Sequence, residues 1–162
     1  YWSIPTVRRW YNHGKCNEEH LSQFEIRLRN TYARILSICN REKAVSDGLF
    51  FDLMYVNYGN LNPHRQYAYM RTYGEEVLLI AVNFDNAPCH IRLDVPPLAF
   101  SCLKIKQGDY RCSELLAGHK RDCRFAIGEP FATDIPANGA VIWKLLPVDT
   151  EKKVEEKKQK ND

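Results

Sequence analysis

The sequence lacks the short signatures that mark most nucleotide, metal and nucleophile sites. It contains no G-x-x-x-x-G-K-[ST], no G-x-G-x-x-G, no H-E-x-x-H and no G-x-S-x-G. No apolar run approaches the ~18 residues of a membrane helix, so no membrane partner is expected. Charge of one sign is also lacking: 23 Lys and Arg stand against 20 Asp and Glu in 162 residues, a net charge of +3. The basic groups Arg8–Arg9, Lys104 with Lys106, and Lys120, Arg121 and Arg124 are interleaved with acids, a pattern that argues against a nucleic-acid partner. The six cysteines form no C-x-x-C pair, so no structural metal and no cofactor is expected. They read as reduced, partly buried thiols. That favours a cytoplasmic setting over a secreted or periplasmic one and leaves the compartment open. The first residue is Tyr1, and no charged stretch followed by an apolar one resembles a leader, so the chain is expected to be a piece of a longer polypeptide.

What is present falls into three parts. Residues 1–15 read as irregular, with Trp2, Trp10 and Tyr11 among Pro5, Arg8, Arg9 and Gly14. A long helix is then expected, with Asn17 as its N-cap, Glu18 and Glu19 in its first turn, and one apolar stripe through Leu21, Phe24, Leu28, Tyr32, Ile35 and Cys39. From Leu49 the period changes to that of strands. They are expected at Leu49–Val56, Gln66–Tyr73, Val77–Phe84, Cys89–Val95, Phe100–Ile105, Tyr110–Leu115, either Phe125–Ile127 or Phe131–Ile135, and Ala140–Leu146. Val77–Val82 is apolar without a break, as an inner strand would be, whereas Ile91, Leu93 and Val95 alternate with His90, Arg92 and Asp94. Joined by the turn formers Asn83–Pro88, these two runs read as a hairpin, with Phe84 anchored in the core. Short strands without intervening helices predict a mainly β fold, an antiparallel β-sandwich of about eight strands with Greek-key-like connections, preceded by one long helix. The segment 148–162 holds five lysines and five acidic residues around little that is apolar, and is expected to be a disordered tail.

Candidate chemistry is sparse. His13, His20, His64, His90 and His119 fall at loop, helix-start or outward strand positions, with no cysteine or serine that spacing would pair with them. Glu75 and Glu76 are neighbours in a turn entering a strand and point to opposite faces, so they do not make a converging carboxylate pair. Aromatics are the remaining clue. Tyr55, Tyr58, Tyr67, Tyr69 and Tyr73 crowd two strands and their loop, and Tyr58, Tyr67, Tyr69 and Trp10 are the candidate contacts for a sugar ring. Core or interface packing is the competing reading of the same residues.

Four stretches in order resemble a known family: Leu28–Arg29–Asn30–Thr31–Tyr32 with Ile35–Leu36, then Ala44–Val45–Ser46–Asp47–Gly48–Leu49–Phe50, then Tyr67–Ala68–Tyr69–Met70–Arg71, and Val77 through Asn83–Phe84. Together with Pro136–Ala137–Asn138–Gly139–Ala140–Val141–Ile142 they are similar to the end of alpha-amylase-type enzymes, family 13 of the glycoside hydrolases. The resemblance implies that residues 1–43 are the end of a catalytic (β/α)8 barrel, residues 44–147 its C-terminal β-sandwich, and the barrel of the same polypeptide their partner. That family's catalytic carboxylates belong to barrel strands upstream, and no stretch here matches them, so no catalytic residue is assigned to this chain. The implied role is to stabilise or cover a barrel that cuts α-glucans, the alternative being to hold α-glucan near it. A helix separated from its barrel is also expected to make the chain self-associate.

Overall fold

The computed structural model describes residues 4–148. The tail expected from residue 148 therefore lies, beyond its first residue, outside the described residues. The chain divides into two compact units, Tyr1–Arg41 and Glu42–Asp162.

In the first unit, Pro5 opens a helix, α1 (Pro5–Tyr11), where its fixed φ and missing N–H suit the first turn. This corrects the irregular reading of that stretch. A 3-10 turn (Asn12–Gly14) and a loop lead to α2 (Gln23–Arg41). The helix does not start at Asn17. Ser22 and Glu25 form a capping box instead: the Ser22 amide donates to Glu25 Oε2 at 2.9 Å, and the Glu25 amide donates to Ser22 Oγ at 3.3 Å. Asn17 accepts from the Asn12 side chain at 3.0 Å and so steadies the preceding loop. Along α2 the apolar residues Phe24, Leu28, Tyr32, Ile35 and Leu36 are exposed, and Ile38 is buried.

The second unit is the antiparallel β-sandwich expected from the strand pattern. A short helix, α3 (Lys43–Ser46), precedes β1 (Leu49–Asp52), β2 (Gln66–Tyr73), β3 (Glu76–Asn83) and β4 (Cys89–Leu93). After α4 (Pro97–Cys102) come β5 (Gly108–Glu114), β6 (Lys120–Phe125), β7 (Phe131–Ile135) and β8 (Gly139–Pro147). One sheet has the order β1-β2-β3-β8-β5-β6, and β4 pairs with β7 in a second, two-stranded sheet. A long connection thus returns β8 to lie between β3 and β5.

Three expectations are corrected here. β3 is the inner strand foreseen, with only Val82 and Glu76 less than buried, but its neighbours are β2 and β8. β3 and β4 belong to different sheets and make no hairpin, because Asn83–Pro88 carries the chain across the sandwich. Phe84 at that crossing is 65% exposed and does not anchor the core. The stretch around Phe100 is helical: Pro97 sits in the first turn of α4, and Ala99 and Phe100 are buried. β6 reads KRDCRF, too charged for the alternation test, and is an edge strand that among the described residues pairs with β5 alone.

The core lies between the sheets. Antiparallel register places Met70, Leu79, Trp143 and Glu114 on one inner face, joined by Ala68, Val77, Leu145 and Cys112. Phe125 is 1% exposed and takes three aromatic neighbours, Phe100, Tyr110 and Phe131, with centroids 5.2, 5.6 and 6.4 Å away. Two buried asparagines bolt loops to this core. Asn57 donates to the Leu53 and Asp94 carbonyls and accepts from the Asp94 amide, while Asn83 donates to the carbonyls of Ala87 and Pro136. Among the described residues no helix is long and apolar enough to cross a membrane.

Candidate functional site

The outer face of the six-stranded sheet is built by the residues that alternate with the core set: Tyr67, Tyr69 and Arg71 on β2, Leu78, Ile80 and Val82 on β3, and Ile142 and Lys144 on β8. Ala44 and Val45 of α3 pack on its middle, against Leu78 and Ile80. Charged groups fix α3 there. Lys144 Nζ lies 2.5 Å from Glu42 and 3.1 Å from Glu76, and Glu76 also accepts the Ala44 amide at 3.2 Å. Burial opposes the charge on Lys144, but the two carboxylates outweigh it and hold the ammonium above its ordinary pKa. Arg71 donates to the Ala44 carbonyl at 2.6 Å and to the Gly48 carbonyl at 2.8 Å, which ties down the exit of α3. Gly48 is required by contact: a Cβ there would lie 2.2 Å from the Ala44 oxygen and 2.7 Å from the Thr72 oxygen.

Beside this clamp the outer face becomes aromatic. Tyr67 and Tyr69 have centroids 5.7 Å apart, and Phe50 on β1 lies 5.5 Å from Tyr69, the rings tilted by 36–38°. Phe50 is 52% exposed and Tyr67 37%. Partial burial, and then the Asp52 carboxylate, push the Tyr67 phenol above its ordinary pKa. The structure thus brings together two of the four candidate sugar contacts, Tyr67 and Tyr69. Tyr58 is an exposed loop residue with no ring partner described, and Trp10 belongs to the first unit, under the Arg29 guanidinium at 5.9 Å. Phe50 was not among the candidates. Its place in the row depends on the β1–β2 register, which no local pattern reveals.

A second concavity of about 710 Å³ opens where β7 and β8 meet the β5–β6 turn. Arg121 lies 4.6 Å from the Trp143 ring centroid and 4.4 Å from that of Phe131, and donates to the Ala132 carbonyl at 2.6 Å. His90 on the rim pairs with Asp134 at 2.7 Å. Glu114 accepts three backbone amides, those of Leu116, Ala117 and Ile142. No cluster of three or more His, Cys, Asp or Glu suited to a metal ion occurs among the described residues.

The arrangement of these sheets is matched in solved structures. An Anoxybacillus alpha-amylase aligns with 76% of this chain at 20% identity and a TM-score of 0.53, the aligned part being 23% of its own length. Its fold recurs in alpha-amylases. AmyP in complex with maltose matches over 76% of the chain and 21% of its own, at 14% identity and a TM-score of 0.56. The maltogenic alpha-amylase AmyB of Thermotoga neapolitana matches over 74% and 25%, at 12% identity and a TM-score of 0.54. The chain therefore spans about a fifth to a quarter of the amylase structures it matches. Neither a protein-family model nor a curated protein matches the sequence. The amylase likeness is one of fold.

Proposed function

We propose that this chain is the non-catalytic C-terminal region of an alpha-amylase-type glycoside hydrolase acting on α-glucans, in which residues 1–43 complete a catalytic barrel and residues 44–147 cover it. The observation that carries this reading is the outer sheet face. It combines an ion-clamped helix over the buried Leu78 and Ile80, the half-buried Tyr69, Val82 and Ile142 around them, and the exposed rings of Phe50 and Tyr67, a surface suited to permanent packing against another apolar surface. The exposed stripe of α2, through Phe24, Leu28 and Tyr32, fits a helix whose neighbours are barrel helices. The buried carboxylates support a role without chemistry, because Glu42 and Glu114 are engaged by Lys144 and by backbone amides.

The test is the longer polypeptide read from the gene, compared with a version that stops before residue 42. Removal of the sandwich is expected to lower the thermal midpoint of the barrel or leave it insoluble. A truncated enzyme with unchanged midpoint and unchanged starch hydrolysis would overturn the covering role, and an upstream sequence without a carboxylate-bearing barrel would overturn the family reading.

The Phe50–Tyr69–Tyr67 row supports a second reading, an α-glucan platform, since sugar rings stack on exposed aromatic faces. Calorimetric titration of the chain with maltoheptaose, with cellohexaose as control, separates the two. Saturable heat with the α-glucan alone, lost in Tyr67→Ala, selects the platform; silence from a folded sample selects the cover.

A further inference from the structure

Alternation along β5 sends Tyr110, Cys112 and Glu114 to the inner face of the sheet, and the β5–β6 register sets Tyr110 opposite Cys123 and Cys112 opposite Arg121. Cys112 and Cys123 are therefore on the same face of one hairpin, a single diagonal step apart. Both are free thiols in the structure, and their Sγ atoms are 3.1 Å apart, roughly 1 Å beyond the bonded separation. Closure draws the two sulfurs together within a single hairpin. We propose that Cys112 and Cys123 are a redox-modification site, forming a reversible disulfide that fastens the edge strand β6 to β5.

The two sulfurs have different roles. Cys112 is fully buried, whereas Cys123 is half-buried beside a surface cleft of about 270 Å³ lined by Asp109, Asp122, Arg124 and Val148. The hydrogen bond shared with Cys112 favours the Cys123 thiolate against the cost of burial, with Arg121 adding its charge and Asp122 and Asp109 opposing it. The same bond, together with burial, pushes the Cys112 thiol up. Cys123 is thus the attacking sulfur and Cys112 the resolving one. With a small disulfide of the glutathione class as oxidant, the Cys123 thiolate attacks one of its sulfurs, the S–S bond breaks, and the electron pair leaves on the first released thiolate. Cys112 then gives up its proton and attacks the Cys123 sulfur, expelling the second thiolate. Two protein thiols are oxidised by two electrons, one disulfide is reduced to two thiols, and the protons from Cys112 and Cys123 end on the released thiols.

The test is thiol mapping of the unaltered chain. Incubated folded with oxidised glutathione, then unfolded, alkylated, digested and weighed, it should lose two of its six alkylatable cysteines and yield a linked Cys112–Cys123 peptide that dithiothreitol reverses. The oxidised chain should melt about 5 °C higher than the reduced one. Cys123→Ser, at a half-buried position, should abolish both effects, and Cys112→Ala should trap glutathione on Cys123. Six alkylatable thiols after treatment, links between other cysteines, or a melting temperature indifferent to oxidation would overturn the proposal.

Discussion

At the scale of single residues, exposure separates two phenylalanines that look alike in the sequence. Phe125 is 1% exposed and joins α4, β5 and β7 through its ring contacts, so Phe125→Ala should cost about 3–5 kcal/mol. Phe84 is 65% exposed, and Phe84→Ala should change stability by less than about 0.5 kcal/mol. Chemical denaturation of both variants checks the pair, and a large loss at Phe84 would contradict its place at the crossing. Gly48 is the other sensitive position. Because two carbonyl oxygens occupy the space of a Cβ, Gly48→Ala should lower stability by more than about 2 kcal/mol, read from the same denaturation midpoint.

At the scale of elements, the start of α2 carries a pH dependence. The Glu25 carboxyl is held down to about 2 from the ordinary 4.5, first by the Ser22 amide, then by the Thr6 and Ser22 hydroxyls, with Arg9 adding its charge. A depressed folded pKa means that the cap's contribution is complete above about 4.5 and fades as the pH falls toward 2. Titration of the Glu25 carboxyl by NMR should show this midpoint, and Glu25→Gln should remove that acid limb from the helical circular dichroism. A Glu25 midpoint near 4.5 would show that the capping box is open in solution.

α3 depends instead on the Glu42–Lys144–Glu76 cluster. Lys144→Met removes the cation that the buried Glu42 carboxylate shares with Glu76, and should cost about 3 kcal/mol. Adding Glu42→Gln should recover part of that loss, and strictly additive denaturation energies would refute the coupling. The raised pKa of Lys144 gives the opposite sign to Glu25: its contribution is present below 10.5 and is lost as the pH climbs past the folded value.

These elements also show what the sequence made legible. β3 was readable because burial on both faces leaves an unbroken apolar run, and β4 because half-burial leaves an alternation. Their pairing was not readable, since a turn-rich segment serves a hairpin and a crossing between sheets equally well. α4 was missed despite a local signal, Pro97 in a first helical turn, and the capping box at Ser22 and Glu25 was passed over for Asn17. Tyr67 and Tyr69 share a face by simple alternation, so half of the aromatic candidates could be placed together from the sequence. The clamp could not, because Glu42 and Lys144 are 102 residues apart and meet only through the β3–β8 register.

At the scale of the whole molecule, the chain displays more apolar surface than its own core requires. Phe24, Leu28 and Tyr32 on α2, and Phe50 and Tyr67 on the sheet, are all exposed. Sedimentation should therefore show an average mass that rises with concentration, and Phe24→Lys combined with Tyr32→Lys should reduce the effect. A constant monomer mass across concentrations would overturn this expectation.

The long sheet has two unlike ends. β6 presents Lys120, Arg121, Asp122 and Arg124, charges that repel or desolvate any strand arriving alongside. β1 carries Leu49, Phe50 and Phe51 over four residues that, among the described residues, pair only with β2. Growth by strand addition is therefore directional: it is blocked at the charged rim and open at the apolar one, so stacking of misassembled copies would begin from β1.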